Sequence, residues 1–158
     1  MTAIDSLIAC AGSWRGVSTL QDPNTGTPEE SASTAIVTPV QNGHFVRLDY
    51  TWSYQSTPQQ GSLVLRVDAN SSSAPGSIRA HWTDSWHMGE TVMDCFGMLS
   101  DEPTISLRGT WTPPEGPDWG WRIDLTPENE DRLLMVMYNI WPDGVREDLA
   151  VEAAYMRE

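Results

Sequence analysis

Between residues 81 and 95 the chain reads HWTDSWHMGETVMDC, with two histidines, three acids, a serine and a cysteine packed around two tryptophans. Such a set could ligate a metal, form a Ser-His-Asp nucleophile, or hold one carboxylate in an apolar surround. A metal needs convergent ligands. His81 and His87 are six residues apart, about 20 Å along an extended chain, so they cannot share an ion unless the strand folds back between them. Cys95 could approach His87 across the HMGE hairpin, but a third ligand is missing. No metal or cofactor is therefore expected, and the histidines read as surface groups. A triad is disfavoured because Asp84, Ser85 and His87 are almost consecutive on one strand, where neighbouring side chains point to opposite faces. There is no G-x-S-x-G elbow, phosphate loop or H-E-x-x-H.

Asp84 is what remains. In SIRAHWTDSW the alternation that puts Ile78, Ala80, Trp82 and Trp86 inside a sheet structure also puts Asp84 inside, and turns His81, Thr83, Ser85 and His87 outward. A carboxylate between two inward tryptophans is costly unless donors satisfy it. If desolvation dominates, its pKa rises and it suits general acid or base work; otherwise it is a structural carboxylate hydrogen-bonded near the strand's end. Asp94, on the following strand, is a second candidate for the same role.

The elements that would position Asp84 are nearly all strands. AIDSLIACAG reads as a short helix with Gly12 as its stop. Ten extended segments follow: GSWRGVSTL, ASTAIVTPV, HFVRLDYTWSY, GSLVLRVDA, SIRAHWTDSW, TVMDCFGML, TISLRGTWT, WGWRIDLT, RLLMVMYNIW and VREDLAVEAAYM. Turn residues punctuate them: QNG before the third, QQG before the fourth, HMGE before the sixth, PEGPD before the eighth and PDG before the tenth, while NSSSAPGS (70–77) and TPPEGPDWG (112–120) read as loops. Connections this short imply antiparallel neighbours, and closing the meander removes its edges. The expected fold is all-β, an up-and-down antiparallel barrel of about ten strands with a short N-terminal helix, forming one domain over residues 1–158.

Period-2 alternation assigns the interior. Ile105, Leu107, Gly109 and Trp111 oppose Ser106 and Arg108; Val46, Leu48, Tyr50 and Trp52 oppose Arg47 and Asp49; Trp119, Trp121, Ile123 and Leu125 oppose Arg122 and Asp124. Leu63, Leu65 and Val67 face in, as do Leu149, Val151, Ala153 and Tyr155 opposite Asp148 and Glu152. Only LLMVMYNIW and VMDCFGML are apolar on both faces, which calls for cover from the N-terminal helix or a second subunit. A lumen walled by Tyr50, Trp52, Trp82, Trp86, Trp111 and Trp121, with Asp84 as a polar anchor, would suit an apolar or aromatic small molecule; the same side chains could instead fill the barrel as core.

Charge narrows the partners. Twenty-two acids against nine basic residues, all of them arginine, give a net charge of -13, which opposes nucleic acid and anionic membranes. No apolar run approaches a membrane span and the N-terminus lacks a basic leader, so a cytoplasmic protein with Cys10 and Cys95 as reduced, buried thiols is expected.

G-S-W-R-G (12–16) behind a short helix resembles the G-x-W of the calycin superfamily of lipocalin-like and fatty-acid-binding-like barrels. A-Y-M-R (154–157) resembles its last strand, which implies that Arg157 lies over Trp14 as a structural closure of the barrel base. The order G-x-W-x-G, W-x-D-S (82–85), P-D-G (142–144) and E-x-x-Y-x-R (152–157) is similar to a bacterial family of single-domain lipocalin-like barrels of unknown function. Nitrobindins, ten-stranded haem barrels, share the G-x-W-x-G start but ligate iron through a histidine near the C-terminus; this chain has none after His87, so that role is not carried over. Three functions stay open: a small-molecule binder, an isomerase, cyclase or hydratase using Asp84, and a homodimer built on LLMVMYNIW.

Overall fold

The computed structural model describes residues 2–68 and 74–158. Helix α1 (Ala3–Ala9) is started by a capping box: the Thr2 hydroxyl accepts from the Asp5 backbone N–H at 3.2 Å, and the Asp5 carboxylate accepts from Thr2 N–H at 2.9 Å. It ends at Cys10, two residues before the glycine expected to stop it; Gly12, at φ +128°, instead opens the first strand. No helix among the described residues is long and apolar enough to cross a membrane.

Ten strands follow: β1 (Gly12–Gln21), β2 (Pro28–Val40), β3 (Phe45–Tyr54), β4 (Thr57–Asp68), β5 (Ser77–Asp84), β6 (Met93–Met98), β7 (Ile105–Trp111), β8 (Trp119–Asn129), β9 (Arg132–Ile140) and β10 (Glu147–Arg157). Each pairs antiparallel with its sequence neighbour, and β10 returns to β1 to close the barrel. Closure leaves no unpaired sheet edge, which is why so many short strands with tight turns can be stable. The fourth strand's expected last residue, Ala69, and residues 70–73 of the NSSSAPGS loop lie outside the described residues.

One barrel end is shut by α1. Leu7 and Trp14 are fully buried there, and the Trp14 indole N–H donates to the Cys10 carbonyl at 2.9 Å. The Arg157 guanidinium carbon sits 4.5 Å from the Trp14 ring centroid while its nitrogens donate to the carbonyls of Ala9, Ala11 and Glu130. One side chain thus places a cation over the indole and satisfies carbonyls at the helix C-terminus. Gly16 completes this end, because a Cβ there would lie 1.8 Å from the Ala154 carbonyl oxygen.

Alternation assigns the interior correctly on β3, β5 and β7, where the core residues Val46, Leu48, Ile78, Ala80, Ile105 and Leu107 are at most 1 % exposed. Two expectations fail for physical reasons. QQG is not a turn: the chain reverses at Gln55 and Ser56, both at positive φ, and β4 is already under way at Thr57. Gly61 lies inside that strand because the Tyr50 ring passes beneath it, 2.1 Å from where a Cβ would be.

On β10 the register slips between Leu149 and Val151. Leu149 pairs with Tyr138 and Asp148 with Asn139, so Leu149 is 39 % exposed and both residues border the cavity at the barrel mouth. Helix α1 packs chiefly against β8 and β2. On β9, Arg122 lies over Tyr138 at 4.1 Å and Ile140 packs where Gly120 has no side chain; on β6, Phe96 and Met98 stay more than half exposed.

Gly61→Ala forces the new methyl against the Tyr50 phenol. Overpacking of this kind costs about 1–3 kcal/mol, expected as a melting temperature lower by roughly 2–4 °C per kcal/mol in a domain of this size. An unchanged thermal melt contradicts the assignment of Gly61 as space for Tyr50.

Candidate functional site

Opposite the α1 end, the chain leaves β5 at Asp84 and turns inward. The turn is set by one carboxylate oxygen: Asp84 Oδ1 accepts from the backbone N–H groups of Trp86 and His87, both at 2.9 Å, and from His87 Nδ1 at 3.2 Å. An ionised carboxylate only accepts, so Nδ1 carries the proton in that contact. The Asp84 carbonyl accepts further N–H groups from Met88 and Gly89. Strand alternation therefore stops at Asp84. His87, expected outside, lies inside the barrel with its side chain 11 % exposed, and Trp86 faces inward from a turn instead of from a continued strand.

The second oxygen, Oδ2, accepts from the Tyr50 hydroxyl at 2.7 Å and the Trp52 indole N–H at 3.2 Å. Tyr50 in turn accepts from the Trp82 indole N–H at 2.9 Å, and Trp82 stacks on Trp121 with centroids 5.4 Å apart and planes 12° from parallel. Asp84 thus fixes His87 directly and the Trp82 and Trp121 rings through Tyr50. Burial pushes its carboxyl upward as the largest single effect, but the His87 hydrogen bonds and charge, with the Tyr50 hydroxyl, outweigh burial and hold it below the usual carboxylate range. Asp84 is an ionised, structural anchor, unlike the raised-pKa acid that desolvation alone would make. Burial, then the Asp84 charge, keeps Tyr50 protonated well above the normal phenol range.

A cavity of about 470 Å³ opens at this end. Trp82, Trp86, Trp111 and Trp121 line it as flat walls, with His87 and Met93 among them and Asn139 and Asp148 toward the mouth. Trp111 donates to Asn139 Oδ1 at 3.1 Å and stacks on Trp119, which meets Trp141 at the rim. Tyr50, Trp52 and Asp84 do not line this cavity. They border a separate void of about 10 Å³, room for one water at most, and Tyr50 and Asp84 also reach a hollow of about 510 Å³ bordered by Gly61 and Thr83, so the three stand behind the wall of the main cavity.

Two buried side-chain nitrogens among the described residues have no hydrogen-bond partner. Trp121 is 7 % exposed and its indole N–H is buried with no hydrogen-bond partner. The one other such side-chain atom among the described residues, Arg122 Nε, is on the outer face, 3.3 Å from the Asp124 carboxylate. His87 Nε2 likewise has no partner among the described residues, its Nδ1 being engaged by Asp84.

His87, Asn139 and Asp148 are absent from the sequence-derived set. Asn139 was findable as the polar residue on the inward phase of LLMVMYNIW, whereas His87 and Asp148 depend on a turn and a bulge that alternation does not reveal. Asp94 faces outward and accepts from His81 at 2.7 Å in an exposed pair, so the two histidines lie on opposite sides of the wall. No three His, Cys, Asp or Glu side chains converge among the described residues. Cys10 and Cys95 are free and buried; burial, and secondarily the Asp94 charge, push the Cys95 thiol up to about 12.

Residues 5–157 match the family described as "Protein of unknown function (DUF1579)". Among solved structures, Rv2717c from M. tuberculosis is similar with a TM-score of 0.65 at 16% identity, over 99% of this chain and 97% of that one. The S-type phycobiliprotein lyase CPES from Guillardia theta is similar with a TM-score of 0.63 at 13% identity, over 100% and 93%. At these identities the likeness is one of fold. No curated protein sequence matches the chain significantly.

Asp84→Asn replaces an acceptor by an amide that cannot satisfy five donors, at a cost of about 3 kcal/mol near pH 7. Because the folded carboxyl titrates below its unfolded value of about 3.9, the ion's contribution is complete above that value and is lost as pH falls through the folded one. Urea unfolding of both proteins should show the gap near neutrality and its closure under acid conditions; equal stability at neutral pH contradicts the anchor role.

Proposed function

The chain belongs to the DUF1579 family, and we propose that it binds a flat, largely apolar small molecule in the barrel lumen, between Trp82, Trp86, Trp111 and Trp121. The observation that carries this reading is the 470 Å³ cavity at the mouth: the tryptophans leave space instead of consuming it, and the size falls within the range of small-molecule pockets. Near-parallel Trp82 and Trp121 favour a planar partner. The orphaned Trp121 N–H supports a ligand bearing at least one acceptor, since an unpaired buried donor is costly until something fills it.

Tyr50, Trp52 and Asp84 serve this pocket from behind, holding its wall. The fold likeness to a phycobiliprotein lyase is consistent with a small-molecule partner and makes a bilin one class to try. The net charge of -13 supports the expectation that phosphate backbones and anionic lipid surfaces are not partners.

Titration with anilinonaphthalene sulfonate and with biliverdin, read by quenching of intrinsic tryptophan fluorescence, tests the reading. At least one probe should give saturable one-to-one quenching, and Trp111→Ala should weaken it about tenfold, the equivalent of 1.4 kcal/mol. No saturable quenching by either probe, or an affinity indifferent to Trp111→Ala, overturns the pocket.

A further inference from the structure

The geometry points to an acid–base site in which His87 Nε2 takes a proton from a flat aromatic carbon acid while Trp121 Nε1 donates to the oxygen that gains the charge. The inference rests on the ligand-binding reading and assigns the same pocket a reaction. Its basis is the pairing of two unpartnered nitrogens of opposite character. Asp84 accepts from His87 Nδ1 at 3.2 Å, so in the neutral form of the ring the lone pair lies on Nε2, the atom that can act as a base. The Trp121 indole can only donate, is buried, and has no partner. The two rings are 5.4 Å apart and both line the cavity, so one bound molecule can touch both rings.

The imidazole is held as a base should be. Trp52, Trp82, Trp86 and Trp121 surround it at centroid distances between 4.7 and 5.9 Å, and its carboxylate partner is fixed by four further hydrogen bonds. Asp84 orients the ring and stabilises the imidazolium that forms, and is a positioning residue here.

The step balances without a co-reactant. Nε2 removes a proton from carbon next to a carbonyl, the C–H pair becomes a carbon–carbon double bond, and the carbonyl π pair moves to oxygen, where Trp121 N–H meets it. In a β,γ-unsaturated ketone the pair spreads into a dienolate, and return of the proton from Nε2–H to its γ carbon completes an isomerisation with no net oxidation. The substrate class is a flat β,γ-unsaturated aryl ketone.

A probe isolates this chemistry from the unknown substrate. In 5-nitrobenzisoxazole a base takes the ring C–H proton, the freed pair forms a nitrile, and the N–O bond breaks to leave its electrons on a coloured phenolate. The protein should convert this probe above the buffer rate. His87→Gln should lower the rate by on the order of 10²-fold, and Trp121→Phe, which keeps a flat wall but removes the donor, by about tenfold or more. Binding of the product, 2-cyano-4-nitrophenol, to the unsubstituted protein, followed by tryptophan quenching, shows that the product reaches the pocket, and a cooperative thermal melt of each variant shows that it is folded. Product binding without turnover, or turnover unchanged in both variants, overturns the acid–base assignment and leaves the binding reading standing. Absence of product binding to the unsubstituted protein overturns both.

Discussion

A single buried carboxylate organises the open end of this barrel. Asp84 is 2 % exposed, and an ion taken that far from water is tolerated only when its lone pairs are fully occupied. Here five donors occupy them, from Tyr50, Trp52, Trp86 and twice from His87. Each donor belongs to a group that shapes the cavity or stands directly behind it. The need to satisfy one charge therefore decides where the strand ends, which way the following turn runs, and which aromatic faces look at one another.

The two barrel ends solve different problems. At the α1 end, Trp14 fills the space and Arg157 seals it, placing its charge over the ring while hydrogen-bonding three carbonyls. At the other end the tryptophans line the space without closing it. The difference lies in what they touch: Trp14 is tied to the backbone by its own N–H, whereas the Trp121 N–H has no partner and Trp82 is tied to Tyr50. A packed end and a receptive end thus come from the same residue type.

Much of the barrel is legible in the sequence because water lies on one side of each strand and a packed interior on the other. TISLRGTWT and HFVRLDYTWSY separate cleanly for that reason. The errors fall where a local contact overrides alternation. Gly61 reads as a turn residue because glycine commonly marks turns, yet here it makes room for Tyr50. Leu149 is less buried than alternation implies because β10 carries a bulge whose position depends on its pairing with β9. His87 reads as an outward residue on a continuing strand, and only capture of two backbone N–H groups by Asp84 Oδ1 brings it inside. Asp84 itself is legible as an inward acid between tryptophans; its partners are not, since Tyr50 and Trp52 approach from another strand.

The central claim is that Asp84 holds the His87 imidazole inside the barrel with Nδ1 protonated and Nε2 open to the cavity. Proton–nitrogen correlation NMR of the imidazole rings, assigned by comparison with His87→Gln, measures this directly. The account predicts that whenever the His87 ring is neutral its one proton is on Nδ1, protected from exchange, with Nε2 bare. A freely exchanging mixture of tautomers, or a proton on Nε2 with Nδ1 bare, would contradict it.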